Sequence, residues 1–159
     1  MLKDLSNLTI PEVFLDKIIE HARREYPLEC CGILAGKKGK IIRVYSLENI
    51  EKSPFSYRVE PEKQFRVFRA IEEDGLELSA IYHSHPYSPP YPSQRDIDLA
   101  FYPDSLILII SLMNQQVPEV CAFQIEEGKN EKRAIKISAK EQTKFKKDLS
   151  RQSPKENFE

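Results

Sequence analysis

Residues 78–96 read LSAIYHSHPYSPPYPSQRD, and this stretch decides how the rest of the chain is placed. Leu78–His83 is predicted as a strand. His83 and His85 stand two apart at its end, so both imidazoles point to the same face. The segment PYSPPYP at 86–92 has prolines at 86, 89, 90 and 92. They fix φ and remove backbone donors, so it is neither helix nor central strand. Ser93 then starts a short helix that Pro103 stops. A stiff loop therefore carries the chain from two histidines to a helix whose first turn holds Asp96, and stiffness lowers the entropy of keeping a third side chain in place.

Outward from this stretch, strands and helices are interspersed without strict alternation. Residues 11–25 read as a helix, with Pro11 in its first turn, Val13, Phe14, Ile18, Ile19 and Ala22 on roughly one face, and Pro27 as the stop. Leu28–Ala35 reads as a buried strand, Gly36–Gly39 as a turn and Lys40–Leu47 as a returning strand. Residues 48–60 read as a loop with a short extended piece at Tyr57–Val59. Pro61 opens a second helix with Phe65, Phe68 and Ile71 inward and Gly75 at its end. Ser105–Leu112, Glu119–Glu126 and Lys132–Ser138 read as three further strands. Successive strands joined by short turns favour a mixed sheet over a doubly wound parallel one, so the expected class is α/β (mixed). One domain over 1–138 is expected. Residues 139–159 form either a polar tail or a short docked helix, with Phe145 and Leu149 four apart.

Composition narrows the function classes. With 40% hydrophobic and 31% charged residues over 159 positions, the chain is an ordinary globular domain. A net charge of -1 gives no bulk pull toward nucleic acid or an anionic membrane. The longest apolar runs, such as Leu106–Ile110, are too short to span a bilayer, and MLKDLSNLTIPEV lacks the apolar stretch of a secretory signal. Three cysteines, two of them adjacent, do not form a disulfide framework, so a cytoplasmic location is the expectation.

The candidate chemistry rests on a few residues, each of which also has a plainer reading. His83 and His85 suit two nitrogen ligands on one metal, and equally suit a solvent-facing pair at a strand end. Asp96 can supply a third ligand, giving two histidines, a carboxylate and a water, as in a catalytic zinc site. Ser93-x-x-Asp96 is also a helix N-terminus with its cap, and the two readings are compatible. Glu29 stands in LECCGIL at 28–34. A carboxylate in an apolar strand is expensive unless it is paired or functional, for example in deprotonating a metal-bound water. Its plainer reading is an exposed first residue of the strand. Cys30 and Cys31 fall on opposite faces of a strand and read as small buried apolar residues.

Together these residues form Glu29, then H-S-H-P at 83–86, then six residues, then S-x-x-D at 93–96. The pattern resembles the JAMM, or MPN-plus, metalloprotease family in its compact prokaryotic type, over roughly residues 10–126. PLECCGILAG around the glutamate and AIYHSHP around the histidines look similar too. The resemblance implies His83, His85 and Asp96 as zinc ligands, one zinc per chain, Glu29 as the water-activating carboxylate and Ser93 as an oxyanion donor. It implies a curved mixed β-sheet flanked by helices. It implies an amidase acting after the C-terminal Gly-Gly of a ubiquitin-like or sulfur-carrier protein. Met113–Pro118 leaves no room for the long insertion of deubiquitinating relatives, which favours a narrow groove for an extended tail over a grip on a whole folded partner. Two alternatives share the resemblance: an amidohydrolase releasing a small amino-acid adduct from a carrier, and a non-catalytic MPN scaffold.

Other chemistries lack their residues. H-E-x-x-H, the deaminase H-x-E with P-C-x-x-C, and G-x-S-x-G are all absent. A Cys-His dyad would leave Asp96 and Glu29 unexplained.

Overall fold

The computed structural model describes residues 8–133 and the backbone of residues 136–138. The tail or helix expected over 139–159 lies outside the described residues. In chain order the elements are β1 (Thr9–Pro11), α1 (Glu12–Glu25), β2 (Cys31–Lys37), β3 (Lys40–Leu47), α2 (Pro61–Glu73), β4 (Glu77–His85), α3 (Gln94–Asp98), β5 (Leu106–Ser111), β6 (Glu119–Glu126), β7 (Lys129–Arg133) and β8 (Lys136–Ser138). They build one eight-stranded sheet in the order β7-β6-β5-β4-β2-β3-β1-β8. The β4–β5, β1–β3 and β1–β8 pairs are parallel, and the remaining pairs are antiparallel. This is the mixed α/β sheet expected from the sequence.

Side-chain alternation along the strands gives each face its own core. On one face Leu34, Ala80, Tyr82, Leu108 and Ile110 pack with Phe14, Ile18 and Ala22 of α1. On the other, Cys31, Ile33 and Tyr45 pack with Val67 and Ile71 of α2, and Ile109, Cys121 and Phe123 pack with Ile97 of α3. His83 follows Tyr82, so it falls on the α2–α3 face, and His85 follows by the same alternation. Tyr82 reaches across β2 on the α1 face, where a Cβ on Gly32 would stand 2.3 Å from its ring.

Several expectations need correction. The strand read from Leu28 begins at Cys31. Donors of the three preceding residues go elsewhere: Leu28 N–H to the Glu25 carbonyl, Glu29 N–H to the Ser53 carbonyl and Cys30 N–H to the Ser84 hydroxyl. The β2–β3 turn is Lys38-Gly39, both at positive φ, as a two-residue hairpin requires. Phe65 does not face inward: it is 63% exposed, because α2 buries the stripe of Val67 and Ile71. The single strand read at 132–138 is two strands on opposite edges. Glu127 and Gly128, both at positive φ, fold β7 back onto β6, while β8 joins β1.

Candidate metal centre

The centre lies where β4 leaves the sheet. His83 and His85 are 1% and 5% exposed, so they are not a solvent-facing pair. His83 Nε2 and His85 Nε2 are 3.2 Å apart, and each is 3.2 Å from Asp96 Oδ2. Three ligand atoms about 2.0–2.1 Å from a tetrahedral metal would stand roughly 3.3–3.4 Å from one another. The side chains therefore already occupy three corners of such a shell, and His83, His85 and Asp96 are the cluster among the described residues able to hold a metal ion.

Neighbouring residues aim these three groups. His85 Nδ1 lies 2.9 Å from the Pro89 carbonyl. A proton on that nitrogen leaves the Nε2 lone pair free to face the centre. The proline-rich loop thus fixes a tautomer as well as a path. The His83 ring is stacked on Tyr57, with centroids 4.9 Å apart and planes at 27°. Asp96 is fixed by the helix start: its backbone N–H donates to Ser93 Oγ, and its Oδ2 accepts from Ser93 N–H. Burial works against the Asp96 charge, yet the hydrogen bonds from His83 and His85 hold its carboxyl well below the usual carboxylate range. Burial alone would depress His85, but Asp96 raises its pKa above the ordinary value.

Glu29 is not an exposed strand end. It is 5% exposed, and it lies in the irregular segment ahead of β2. Burial pushes its carboxyl up to about 8, opposed by His85 and reinforced by Asp96. A divalent cation among the three ligands would draw this value back down, since a nearby positive charge favours the carboxylate.

The sequence did not reveal what holds Glu29. Asn49, 7% exposed, donates through Nδ2 to the carbonyls of Glu29 and Ser56, and accepts through Oδ1 from the N–H groups of Glu51 and Arg58. From the other side, Ser84 Oγ accepts from Cys30 N–H at 2.7 Å. Tyr57 and Asn49 carry no sequence signal beyond lying in the loop at 48–60, because both act through contacts distant in the chain. Cys30 and Cys31 are buried and unpaired, and they belong to opposite cores. Burial pushes the Cys30 thiol up to about 12, so it is not a reactive thiolate.

A groove of about 380 Å³ opens off the centre. Its lining includes Ser56–Val59, Leu99–Tyr102, Ile33 and Ile81, together with His83, Arg95 and Asp96 of the centre and its helix.

A family model described as prokaryotic homologs of the JAB domain matches residues 11–126. The chain belongs to this family. Among members of the JAB family, the CysO-cysteine peptidase of Mycobacterium tuberculosis is 35% identical over 76% of this chain and 84% of its own length. A probable TtuB-protein conjugate cleaving protease of Thermus thermophilus is 41% identical over 57% of this chain and 61% of its own. The solution structure of a Desulfitobacterium hafniense protein superposes with a TM-score of 0.75 at 30% identity, covering 85% of this chain and 95% of that one. The JAMM resemblance read from the motif is thereby shown.

Proposed function

We propose that this JAB-family hydrolase is a zinc peptidase that cuts the amide after the C-terminal Gly-Gly of a ubiquitin-like or sulfur-carrier protein. The observation that carries the reading is the trio of His83 Nε2, His85 Nε2 and Asp96 Oδ2 at mutual distances of 3.2 Å, with the buried carboxyl of Glu29 beside it. Two imidazoles and one carboxylate suit zinc and leave a coordination position open. Bound there, zinc supplies a Lewis acid that polarises a carbonyl and lowers the pKa of water from about 15.7 toward ~7.

The chain's own residues do the rest. Glu29 accepts the proton of the attacking water. The Ser93 hydroxyl accepts from Asp96 N–H, and its own proton stays free to donate to the oxyanion. Glu29 then returns its proton to the amine as the C–N bond breaks. The amine therefore departs on the Glu29 side. The acyl tail lies in the groove that His83 and Asp96 line. Beside the centre the groove is bordered by Tyr57 and His83, and a glycine tail passes there without a side chain to clash.

The names of the relatives support a carrier-protein substrate: one is called a CysO-cysteine peptidase, the other a protease of TtuB–protein conjugates. A scaffold role would leave the paired ligands and the buried Glu29 without purpose. The domain boundary at 138 and a cytoplasmic location belong to the same reading, the latter resting on three unpaired cysteines.

The test is mass spectrometry of the products from a carrier with a C-terminal extension. Cleavage is expected directly after Gly-Gly, slowed strongly when the terminal glycine becomes valine. Glu29→Gln should lower the rate on the order of 10² to 10⁴-fold while keeping the metal. Equal turnover of Gly-Gly and Gly-Val tails would reject the substrate. Near-normal activity of Glu29→Gln would reject the role of the carboxylate.

A further inference from the structure

The groove carries one charge that nothing in the fold answers. Among the described residues, the charged side chains lining it are Arg58, Arg95 and Asp96, and the rest of the lining is mostly apolar. Asp96 faces both histidines. Arg95 is paired with the Glu51 carboxylate at 3.2 Å. The exposed guanidinium of Arg58 has no ion pair and no hydrogen bond among the described residues.

The backbone beneath that guanidinium is fixed. Arg58 N–H donates to Asn49 Oδ1 at 3.1 Å, and its carbonyl accepts from Ile50 N–H at 2.9 Å. The flanking side chains, Tyr57 and Val59, pack inward with the α2 core, and Tyr57 is stacked on His83. Glu60, two residues on, is occupied elsewhere: its carboxylate caps α2, accepting from the N–H groups of Glu62 and Lys63. Arg58 therefore presents an uncompensated cation one residue away from the ring that covers a candidate metal ligand.

A single cation in a mostly apolar wall gives the groove a sign. An occupant with the opposite charge gains from it, and one with the same charge is repelled. The occupant proposed above is a carrier's tail. With its glycine pair beside His83, about three preceding residues of extended chain, at ~3.3 Å each, occupy the rest of the groove. We propose that Arg58 is a specificity-determining residue: it selects carriers with an acidic side chain just ahead of Gly-Gly and disfavours carriers with lysine or arginine there. The proposal rests on the carrier-peptidase reading and deepens it by naming the kind of carrier.

The experiment uses one ubiquitin-like carrier with a peptide extension after Gly-Gly. Glu, Gln or Lys is placed in turn at each of the three positions ahead of the glycine pair. For the whole chain loaded with zinc at low salt, at least one position should rank Glu above Gln by about three- to fivefold in kcat/KM, and Gln above Lys. The ranking should flatten at high salt. Arg58→Ala should bring the three rates within about twofold of one another, with zinc content unchanged. Arg58→Glu should reverse the order and place Lys first, which loss of a merely structural side chain would not do. Equal rates for Glu, Gln and Lys at all three positions would overturn the role of Arg58 and leave the peptidase reading standing. A ranking that survives in Arg58→Ala, or equal slowing of all three substrates by it, would overturn that role too. Failure to cleave any of the carriers would sink the peptidase reading and this inference with it.

Discussion

Ser93 and Asp96 hydrogen-bond each other twice, Asp96 N–H to Ser93 Oγ at 3.1 Å and Ser93 N–H to Asp96 Oδ2 at 2.9 Å. That Oδ2 is also the atom facing both histidines. The capping box and the candidate metal site thus share one oxygen, and the helix start fixes the proposed third ligand.

Ser93→Ala separates the two uses of the hydroxyl. Loss of the cap costs about 1 kcal/mol of stability. Loss of an oxyanion donor costs roughly 10²-fold or more in kcat. We expect the kinetic loss to dominate. Thermal melts and rates on one preparation decide, and a lowered melting temperature with intact kcat would leave Ser93 as a cap alone.

Much of this was legible in the sequence. The bounds of β3 and β6 coincide with those read from the turns around them, and H-S-H-P with S-x-x-D brings His83, His85 and Asp96 together through local geometry: strand alternation, a proline-stiffened loop and a helix start. What was not legible depends on bonds between distant segments. Glu29 lies ahead of its strand because its N–H is taken by Ser53. Tyr57 matters because it lies over His83, and Asn49 because one side chain joins four backbone groups. The split of 129–138 between two sheet edges is set by a hairpin turn at Glu127-Gly128 whose strength against a longer strand no local pattern reveals.

Asn49→Ala tests the clamp on Glu29. Removing a buried amide that makes four hydrogen bonds leaves backbone groups unsatisfied, at a cost of about 1–3 kcal/mol. The metal ligands are on other elements, so metal content should persist while kcat falls tenfold or more. Retained kcat in a destabilised protein would show that Glu29 is positioned without Asn49, by its N–H bond to Ser53 and the adjoining Cys30–Ser84 bond.

His21 gives a pH dependence that is independent of the centre. It is 2% exposed with Nδ1 2.8 Å from the Tyr82 hydroxyl, and burial, aided by the charge of Arg24, lowers its pKa from 6.5 to about 4. A histidine depressed in the folded state is neutral there while the unfolded chain takes up a proton. Its contribution is complete above pH 6.5 and is lost as the pH falls from 6.5 through about 4. The loss is about 3 kcal/mol. Urea unfolding of the metal-free protein at pH 7.5 and pH 4 should show a smaller drop in His21→Asn, whose amide stands near the place of Nδ1. Equal drops in both proteins would mean that His21 protonates freely in the fold.

Zinc content of the purified chain tests the central claim most directly. Elemental analysis should find one zinc per chain, and His83→Ala or Asp96→Ala should release it, because two protein ligands seldom retain what three hold. A chain that binds no metal under conditions that load other zinc enzymes, or one that keeps its zinc in both variants, would contradict the centre built on His83, His85 and Asp96.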